Sequence, residues 1–557
     1  MGIPGFARHL VKDNNTHLWD KNMKFHYLFF DFNPIIYECV RDLELKKSWN
    51  FKNMNNQFEK ELINLIFEKV KHIVLDVIKP IKLLYIAIDG PSPFAKMKQQ
   101  RLRRYKSMYT DDLYKKYYPN EFNEDSKWDT RQISPGTIFM YNLNKKLKRE
   151  INNNAFGNIK VIFNGSDIPG EGEHKFIPYL SKIKVDKNEN YCVYSTDADQ
   201  IIILLPYTTR NIYVLKPISE LRTIEHNYDE YYLMDVNYIA KKYEIDGVYN
   251  KNFLHDFTFI SFLEGNDFVM PIYFLKCRDD YMETVIKYYK NIKKSSQQNL
   301  IKDNLSVNYN FVLNLFEKIS KMEESEFNKK NNMIQTLITK YNKNPNLVKK
   351  CKMDFENMEH TLFYCPSHPL YKEYINDWNK FFTPKFSKKE YYKYFFGKKV
   401  NIDSLCYEYA RVLIFNLKYY LERKTYWRYQ YPYPIAPLPT DFYQYLLNNP
   451  KIFDSIKFNE DKPYPPFVQL AYILPLEHQL SLPKVYKDKV FNKKVSKNNL
   501  KLEMINGDKL IYSEINLPSI SIDKLEKYYN KVKDKFTPLE KNIGKFDSTI
   551  LVYRSKK

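Results

Sequence analysis

Cysteine is sparse in this sequence, and its placement argues against a disulfide-built scaffold. The 557 residues include six cysteines, and they lie far apart without paired spacing. This pattern fits a reducing compartment better than a secreted, disulfide-stapled domain. Cys351, His360, Cys365 and His368 could be grouped as a zinc site, but their irregular spacing is not that of the common zinc motifs. We therefore expect neither disulfides nor structural zinc.

Long apolar runs are also absent. No stretch reaches the roughly 18 apolar residues that a membrane-spanning helix requires. The N-terminus lacks the apolar core of a secretory signal, and Phe6 stands where a myristoylation motif carries serine or threonine. These absences predict a soluble protein without a membrane partner, located inside the cell. We favour the cytoplasm, and the nucleus stays an open alternative because the basic runs are too weak to identify as localisation signals.

Positive charge, by contrast, is in excess. Lysine and arginine number 88 against 66 aspartates and glutamates, which gives a net charge of +22. Such an excess favours a polyanionic partner, nucleic acid before an anionic membrane. Heavy use of Lys, Asn, Tyr and Ile is also what AT-rich coding sequence produces, so drift in composition is an alternative source of part of the charge.

Seven acidic residues stand out against this basic background because they follow strand-like runs or form close pairs. They are Asp31, Asp89, Glu171, Glu173, Asp197, Asp199 and Asp267. In extended chain, residues i and i+2 point to the same side, so each close pair, if extended or in a turn, can aim two carboxylates at one point. Ligation by oxygen alone selects Mg²⁺ or Mn²⁺. One such acid taken singly is better explained as a helix cap or solvated turn residue, whereas the set of seven favours a metal site.

Alternating strand and helix patterns run through the first ~270 residues. Apolar strand-like runs cover residues 27–30, 81–88, 160–163 and 191–195, and helical periodicity covers 61–78. This alternation predicts an α/β fold with a mostly parallel central sheet flanked by helices. Ligands of such sheets gather at the carboxyl ends of the strands, where several of the acidic residues fall.

A basic segment follows the second of these strands. At about 100° per residue, Lys96, Gln100, Arg103 and Arg104 fall on one helix face. One lysine, one amide and two guanidinium groups on one side suit a terminal phosphate, because arginine binds phosphate oxygens in pairs. A solvated basic face is the alternative, and the residues alone do not decide between the two.

Several motifs resemble the XRN family of 5′→3′ exoribonucleases. They are Ala-Ile-Asp-Gly at residues 87–90, Ala-Lys-Met at 95–97, Gln-Gln-Arg-Leu-Arg-Arg at 99–104, Ile-Ser-Pro-Gly-Thr at 133–137, Pro-Gly-Glu-Gly-Glu-His-Lys at 169–175, Thr-Asp-Ala-Asp at 196–199 and Phe-Leu-Glu-Gly-Asn-Asp-Phe at 262–268. The opening Met-Gly-Ile-Pro fits as well, and a thinner likeness continues through residues 427–437 and 462–475. The seven-residue motif at 169–175 is long enough that chance is a poor explanation.

The resemblance implies a flap-nuclease-like (PIN-like) catalytic core with an additional helical second region. It also implies two Mg²⁺ or Mn²⁺ ions on the seven carboxylates and a 5′-monophosphate pocket formed by the basic helix face. The first base of single-stranded RNA would stack between aromatic side chains, which here are Tyr37 and Trp427. The expected activity is processive degradation of 5′-monophosphorylated RNA to mononucleotides by a monomer, with protein partners unknown.

We predict four regions on this basis. They are an N-terminal catalytic region at 1–274, a variable helical connecting segment at 275–400, a second family-like region completing the active-site pocket at 401–490 and a basic C-terminal segment at 491–557. The chain is expected to be a compact member without the long C-terminal extensions of the large cytoplasmic ones.

Two residues depart from the family pattern. After Asp31 the family usually has glycine and histidine where this chain has Pro34 and Tyr37. Tyr37 can still stack on a base, so we expect activity with altered translocation. His174 is interpreted as an orienting residue rather than a general base, and the packing of Trp427 in a core is the alternative to its stacking role.

Two other functions remain open alternatives. A flap-endonuclease-like DNA nuclease would share the acidic sheet but not the spacing of the basic helix. A catalytically inactive RNA-binding scaffold would share the fold, yet it would have no need of all seven carboxylates.

Overall fold

The structure is a computed structural model, and it describes most of the chain. The described residues are 16–18, 22–46, 48–197, 199–218, 231–242, 251–275, 281–350, 354–381, 386–397, 400–475, 481–490, 500–503, 509–547 and 549–554. None of the helices within these ranges is long and apolar enough to cross a bilayer.

Ten strands lie in the described ranges. They are β1 (Thr16–Leu18), β2 (Tyr27–Asp31), β3 (Leu83–Ala87), β4 (Lys160–Asn164), β5 (Asn190–Tyr194), β6 (Asn211–Pro217), β7 (Tyr231–Asp235), β8 (Lys501–Glu503), β9 (Glu514–Asn516) and β10 (Leu551–Tyr553). Strands β8 and β9 form a separate antiparallel pair.

Helices make up most of the remaining structure. They are α1 (Asn33–Lys46), α2 (Phe51–His72), α3 (Phe94–Tyr117), α4 (Ile138–Asn152), α5 (Gly172–Lys175), α6 (Ile177–Lys182), α7 (Asp199–Leu204), α8 (Val236–Lys242), α9 (Lys251–Ser261), α10 (Tyr281–Ser296), α11 (Tyr309–Ser320), α12 (Glu323–Lys343), α13 (Pro345–Lys350), α14 (Tyr371–Phe381), α15 (Lys388–Phe396), α16 (Ile402–Leu417), α17 (Pro439–Asn448), α18 (Ile452–Ser455), α19 (Pro466–Ile473), α20 (Lys484–Val490), α21 (Ile522–Val532) and α22 (Pro538–Gly544). Two π-helical turns, Ile73–Ile78 and Lys418–Glu422, continue α2 and α16.

The main sheet has eight strands in the order β1-β7-β6-β5-β2-β3-β4-β10. The five central strands, β6 to β4, are mutually parallel. The edges are antiparallel, with β7 and β1 on one side and β10 on the other. The prediction of an α/β fold with a mostly parallel sheet flanked by helices, followed by a helical second region, is confirmed.

Both faces of the sheet are buried, because alternate residues of β2 and β3 enter two different cores. Leu28 and Phe30 pack toward α1, α2 and α4. Tyr27 and Phe29 pack toward α7 and α9, and the same core extends to the inner side of α16. Helix α19 packs against the start of α3, where Phe94 and Met97 join a third core. The C-terminal half of the chain is therefore packed directly against the sheet region.

Candidate active site

The carboxyl ends of three parallel strands bring the first acidic side chains together. Asp31 ends β2 and pairs in register with Ala87 of β3, so Asp89 lies two residues beyond the same edge. Asp197 follows β5 on the other side. The buried hydroxyl of Ser195 donates to Asp31 Oδ2 at 2.9 Å and accepts from the backbone N–H of Asp197 at 3.2 Å. This serine therefore fixes two of the acids relative to each other.

Glu171 and Glu173 reach the same place from the turn after β4. Glu171 is extended and precedes α5, whereas Glu173 lies in the first turn of that short helix. The two carboxylates therefore come together where the turn after β4 leads into a short helix. Gly172 between them donates its N–H to Asp89 Oδ1 at 2.6 Å.

Gly172 is required by close approach. A Cβ at this position would lie 2.8 Å from the carbonyl oxygen of Ala87 and 2.9 Å from Asp31 Oδ1. Both distances are shorter than real Cβ contacts, so only glycine allows the turn to press against the strand ends.

A metal ion fits the donor set that results. Oxygens of Asp31, Glu173 and Asp197 all lie within 4.8 Å of one another, the only such group of acids, histidines and cysteines among the described residues. An all-carboxylate set suits Mg²⁺ or Mn²⁺ rather than zinc. Within the described ranges His360, Cys365 and His368 form no comparable group, and Cys351 lies outside them.

The remaining acids surround this group. Asp199 begins α7 and is buried. Asp267 follows the 3₁₀ turn Phe262–Glu264 and contacts the basic helix α3. All seven predicted carboxylates therefore lie at or next to one edge of the sheet.

The electrostatics of the cluster are unfavourable to ionised acids. Burial, with the charges of Asp89 and Asp197, raises the pKa of Asp31 well above its ordinary value. Burial likewise raises the pKa of Glu173 well above its ordinary value; the charge of Lys96 opposes this rise, and those of Glu171, Asp197 and Asp199 add to it. Such crowding of negative charge is the environment that a divalent cation relieves.

Lys96 enters the cluster from the first turn of α3. Its Nζ lies 2.5 Å from Glu171 Oε2 and 2.5 Å from Asp267 Oδ2. Burial lowers its pKa, but the charges of Asp267, Glu171 and Glu173 outweigh burial and raise the pKa well above its ordinary value. Lys96 therefore carries a permanent positive charge at the border of the acidic site.

The other three residues of the predicted phosphate pocket line the same helix. Gln100 bonds the hydroxyl of Ser92 and the side chain of Gln469, each at 3.3 Å. Arg104 donates to Ser134 Oγ at 2.6 Å, and burial lowers its pKa to about 10. Arg103 is exposed, and its charge acts on both Asp267 and Arg104.

The two predicted stacking residues flank this helix. Tyr37 lies on α1 with 37% of its surface exposed and interacts electrostatically with Arg104. The backbone of Trp427 accepts from the N–H of Phe94 at 2.8 Å and donates to Asp461 at 2.7 Å. Among the ring pairs of the described residues, neither side chain packs against another aromatic. Tyr37 therefore lies near Arg104, and the backbone of Trp427 lies beside the start of the basic helix.

Other residues of the site escaped sequence reasoning. Lys175 donates to the carbonyls of Ile88 and Gly165, at 2.6 and 2.8 Å, and so ties the ends of β3 and β4 together; burial lowers its pKa to about 7. Tyr419 and Tyr420, on the π turn after α16, contact two of the carboxylates. Of these three residues, only Lys175 could have been found from the sequence, because it belongs to the 169–175 motif.

The half-buried His174 packs against both of these tyrosines. Its ring lies 4.2 Å from that of Tyr419 and 5.3 Å from that of Tyr420, centroid to centroid. Burial lowers its pKa well below the ordinary value, so the imidazole is neutral. The packing is that of a residue that holds the tyrosines in place.

A mostly parallel sheet with an acidic carboxyl edge defines the class of PIN-like α/β proteins. A family model described as the N-terminus of XRN 5′-3′ exonucleases matches residues 1–217. A second, described as the Xrn1 helical domain, matches residues 248–366 and 371–557. The chain belongs to the XRN family, and the resemblance seen in the sequence is confirmed.

Several curated relatives of the chain are named 5′-3′ exoribonucleases. The chain is 29% identical over 332 residues to 5′-3′ exoribonuclease 1 of Schizosaccharomyces pombe, a match covering 53% of this chain and 24% of the relative. It is 30% identical over 309 residues to the Saccharomyces cerevisiae protein, covering 48% and 19%. The human protein is 24% identical over 565 residues, covering 88% and 31%. The matches thus span about a fifth to a third of these relatives' lengths.

Proposed function

We propose that this protein is a metal-dependent 5′→3′ exoribonuclease that degrades 5′-monophosphorylated RNA. The observation that carries the proposal is the position of Lys96, whose Nζ lies 2.5 Å from two acids of the cluster, Glu171 and Asp267. A phosphate that binds this lysine lies within a few ångströms of the carboxylates. The end of the substrate and the site of hydrolysis are therefore adjacent.

The carboxylates would hold the divalent ions. Asp31, Glu173 and Asp197 form the group that fits one ion, and we assign the remaining four acids to the same site with a second ion. Bound Mg²⁺ or Mn²⁺ would supply Lewis acidity toward the phosphodiester and lower the pKa of water. The protein contributes orientation, through Ser195 on Asp31 and through the N–H of Gly172 on Asp89.

Lys96, Gln100, Arg103 and Arg104 would bind the 5′-monophosphate. Gln100 is backed by Ser92 and Gln469, and Arg104 by Ser134, so protein groups already occupy the space behind the helix face. A single terminal phosphate suits such a backed pocket better than a triphosphate or a cap. Because the phosphate marks the 5′ end, each hydrolysis releases a nucleotide and leaves a new 5′-phosphate, which supports processive degradation.

Tyr37 and Trp427 would stack on the first base. Stacking reads no sequence, so degradation would be general. The net charge of +22 would draw single-stranded RNA to the protein without sequence preference. We further propose that the protein acts as a monomer inside the cell, in the cytoplasm rather than the nucleus.

End-labelled RNA tests the proposal. Purified protein is given the same RNA with a 5′-monophosphate, 5′-triphosphate or 5′-hydroxyl, with Mg²⁺ or with EDTA. We expect mononucleotide release from the monophosphate alone, lost in EDTA and in Asp199→Ala. Equal decay of all three ends would contradict the phosphate pocket. Binding of RNA without cleavage would favour an RNA-binding scaffold. In a parallel reaction with branched DNA, cleavage of the branch would favour a flap endonuclease.

A further inference from the structure

Helix α16 ends in an unusual way beneath the acidic cluster. It continues as a π-helical turn, Lys418–Glu422, which terminates at Arg423 with a left-handed φ of 60°. Single π turns are rare and often lie at functional sites. The wider turn lets consecutive side chains diverge less than the roughly 100° of an α-helix. Tyr419 and Tyr420 can therefore face the same site.

The hydroxyls of these tyrosines reach acids that come from two different loops. Tyr419 donates to Glu171 Oε1 at 2.6 Å, in the turn after β4. Tyr420 donates to Asp199 Oδ2 at a longer 3.4 Å, in the turn after β5. Both tyrosines are 3% exposed. Water therefore does not replace either hydroxyl as a partner of these carboxylates.

The tyrosine pair is itself held rigidly. Arg423 donates to the carbonyl of Tyr420 and, at 2.9 Å, to the hydroxyl of Tyr207. Phe268 packs against Tyr419 at 5.2 Å and Phe262 against Tyr420 at 5.3 Å, between ring centroids. His174 fills the remaining space against both rings. A donor that cannot move fixes the rotamer of the carboxylate that it contacts.

Glu171 shows the consequence most clearly. Its Oε1 accepts from Tyr419, while its Oε2 pairs with Lys96 at 2.5 Å. Lys96 is the residue that we assign to the substrate phosphate, so Tyr419 is the contact that remains when the lysine engages RNA.

We propose that Tyr419 and Tyr420 are positioning residues of the metal site, which orient Glu171 and Asp199 for divalent cations. This inference rests on the proposed function in taking the acidic cluster as the metal site. Tyr419 and Tyr420 are supplied by the C-terminal half of the chain. The metal site on the sheet is therefore complete only when that half is docked.

Mn²⁺ titration of the full chain by electron paramagnetic resonance, without RNA, tests the inference. Loss of a partner of a metal ligand costs about 10- to 100-fold in affinity. We expect Tyr419→Phe to weaken Mn²⁺ binding about 10-fold and Tyr420→Phe less, because its contact is longer. Tyr409→Phe is the matched control, since that buried hydroxyl of α16 has no hydrogen-bond partner among the described residues, and it should bind Mn²⁺ as the wild type does.

Two further measurements separate positioning from simple destabilisation. Saturating Mn²⁺ should restore turnover of Tyr419→Phe, as expected for a residue that acts through a ligand. Adding Tyr419→Phe to Glu171→Gln should cost no further affinity, because the carboxylate that Tyr419 orients for the metal is already absent. Wild-type Mn²⁺ affinity of Tyr419→Phe, or additive losses in the double variant, would overturn the inference.

The outcomes also distinguish this inference from the proposed function. A protein that binds Mn²⁺ in a Tyr419-dependent manner but leaves RNA intact supports the positioning role and contradicts the exoribonuclease. A wild-type protein that binds no Mn²⁺ contradicts both.

Discussion

At the scale of single residues, glycine and buried carboxylates determine the geometry of the site. Gly172 lets the Glu171–Glu173 turn approach β3 more closely than any side chain would allow. The acids that this approach brings together are buried beside one another, and burial first, then the charges of neighbouring acids, raise the pKa values of Asp31 and Glu173. Packing thus holds these acids together although burial makes their ionisation unfavourable.

Gly172→Ala should therefore damage the site more than the fold. Its Cβ would meet the Ala87 carbonyl at 2.8 Å and displace the turn. We expect at least a 10-fold loss of Mn²⁺ affinity, measured by titration, as for other changes around metal ligands. Gly157→Ala is the comparison: its φ of 73° makes alanine strained, but no atom lies within 4 Å. The Gly157→Ala variant should lose some thermal stability and keep Mn²⁺ binding. Equal Mn²⁺ affinities of the Gly172→Ala and Gly157→Ala variants would contradict the packing argument.

The raised carboxyl pKa values predict the pH dependence of metal binding. Burial raises the pKa of Asp31 and of Glu173 well above ordinary values, which are near 4. Protons therefore compete with the cation at higher pH than for exposed acids. Mn²⁺ affinity of the wild type should fall as pH is lowered from 8 to 5, while circular dichroism shows an intact fold. An Mn²⁺ affinity that is constant between pH 8 and pH 5 would contradict the raised pKa values of Asp31 and Glu173.

At the scale of elements, the strand ends and one helix do most of the positioning. The apolar runs predicted β2 to β5 to within two residues, because buried parallel strands have a strong hydrophobic signature. The basic face of α3 was likewise visible from its spacing. Helix α2 begins at Phe51, ten residues before the predicted start, since its first turns are polar and half-exposed.

Elements that depend on distant partners could not be predicted. Strand β10 has three residues and exists because β4 offers an open edge far away in sequence. The π turn after α16 is defined by backbone hydrogen bonds that leave no periodicity in the sequence. The seven acids and the basic helix were accessible from local pattern, whereas the tyrosines that contact the acids were not.

The exposed arginine of α3 gives a prediction for substrate choice. Arg103 is free of the burial that surrounds Lys96 and Arg104. Charge-assisted hydrogen bonds contribute about 1.5–3 kcal/mol, or roughly 10- to 100-fold. Arg103→Ala should reduce the preference for 5′-monophosphate over 5′-hydroxyl RNA by about 10-fold, with Mn²⁺ affinity unchanged. Lys115→Ala, at the exposed far end of the same helix, is the control; unchanged preference in Arg103→Ala would remove Arg103 from the pocket.

At the scale of the whole molecule, the two halves of the chain form one site. The C-terminal half supplies Trp427 beside the start of α3, Gln469 behind Gln100 and the tyrosines beneath the carboxylates. The sheet region supplies the acids. Such a division explains why the family models match both halves. The buried acids that the site needs for metal binding also destabilise the fold when they are ionised without a metal.

The destabilisation by ionised acids predicts a stabilising substitution. Because the pKa of Glu173 is raised in the folded state, the folded protein binds this proton more tightly than the unfolded chain. Stability therefore falls as pH rises from the unfolded pKa through the folded one, and ionised Glu173 destabilises the fold at neutral pH. In EDTA at pH 7, Glu173→Gln should raise Tm by about 1–3 °C and abolish Mn²⁺ binding.

The control has the opposite shift. The pKa of Glu150 is lowered by hydrogen bonds from Arg149 and Lys146, so its ionised form does not destabilise the fold. Glu150→Gln should not raise Tm. If Glu173→Gln and Glu150→Gln both raise Tm, the acidic cluster is not the cause of the increase.

The central claim is that the 5′-phosphate binds at Lys96, next to the metal-binding carboxylates. The most direct test is the position of that phosphate in crystals of Asp199→Asn with Mn²⁺ and a 5′-phosphorylated oligonucleotide. We predict the phosphate within hydrogen-bond distance of Lys96 Nζ and an anomalous Mn²⁺ peak among Asp31, Glu173 and Asp197. A 5′-phosphate bound away from α3, or Mn²⁺ outside the acidic cluster, would contradict the account.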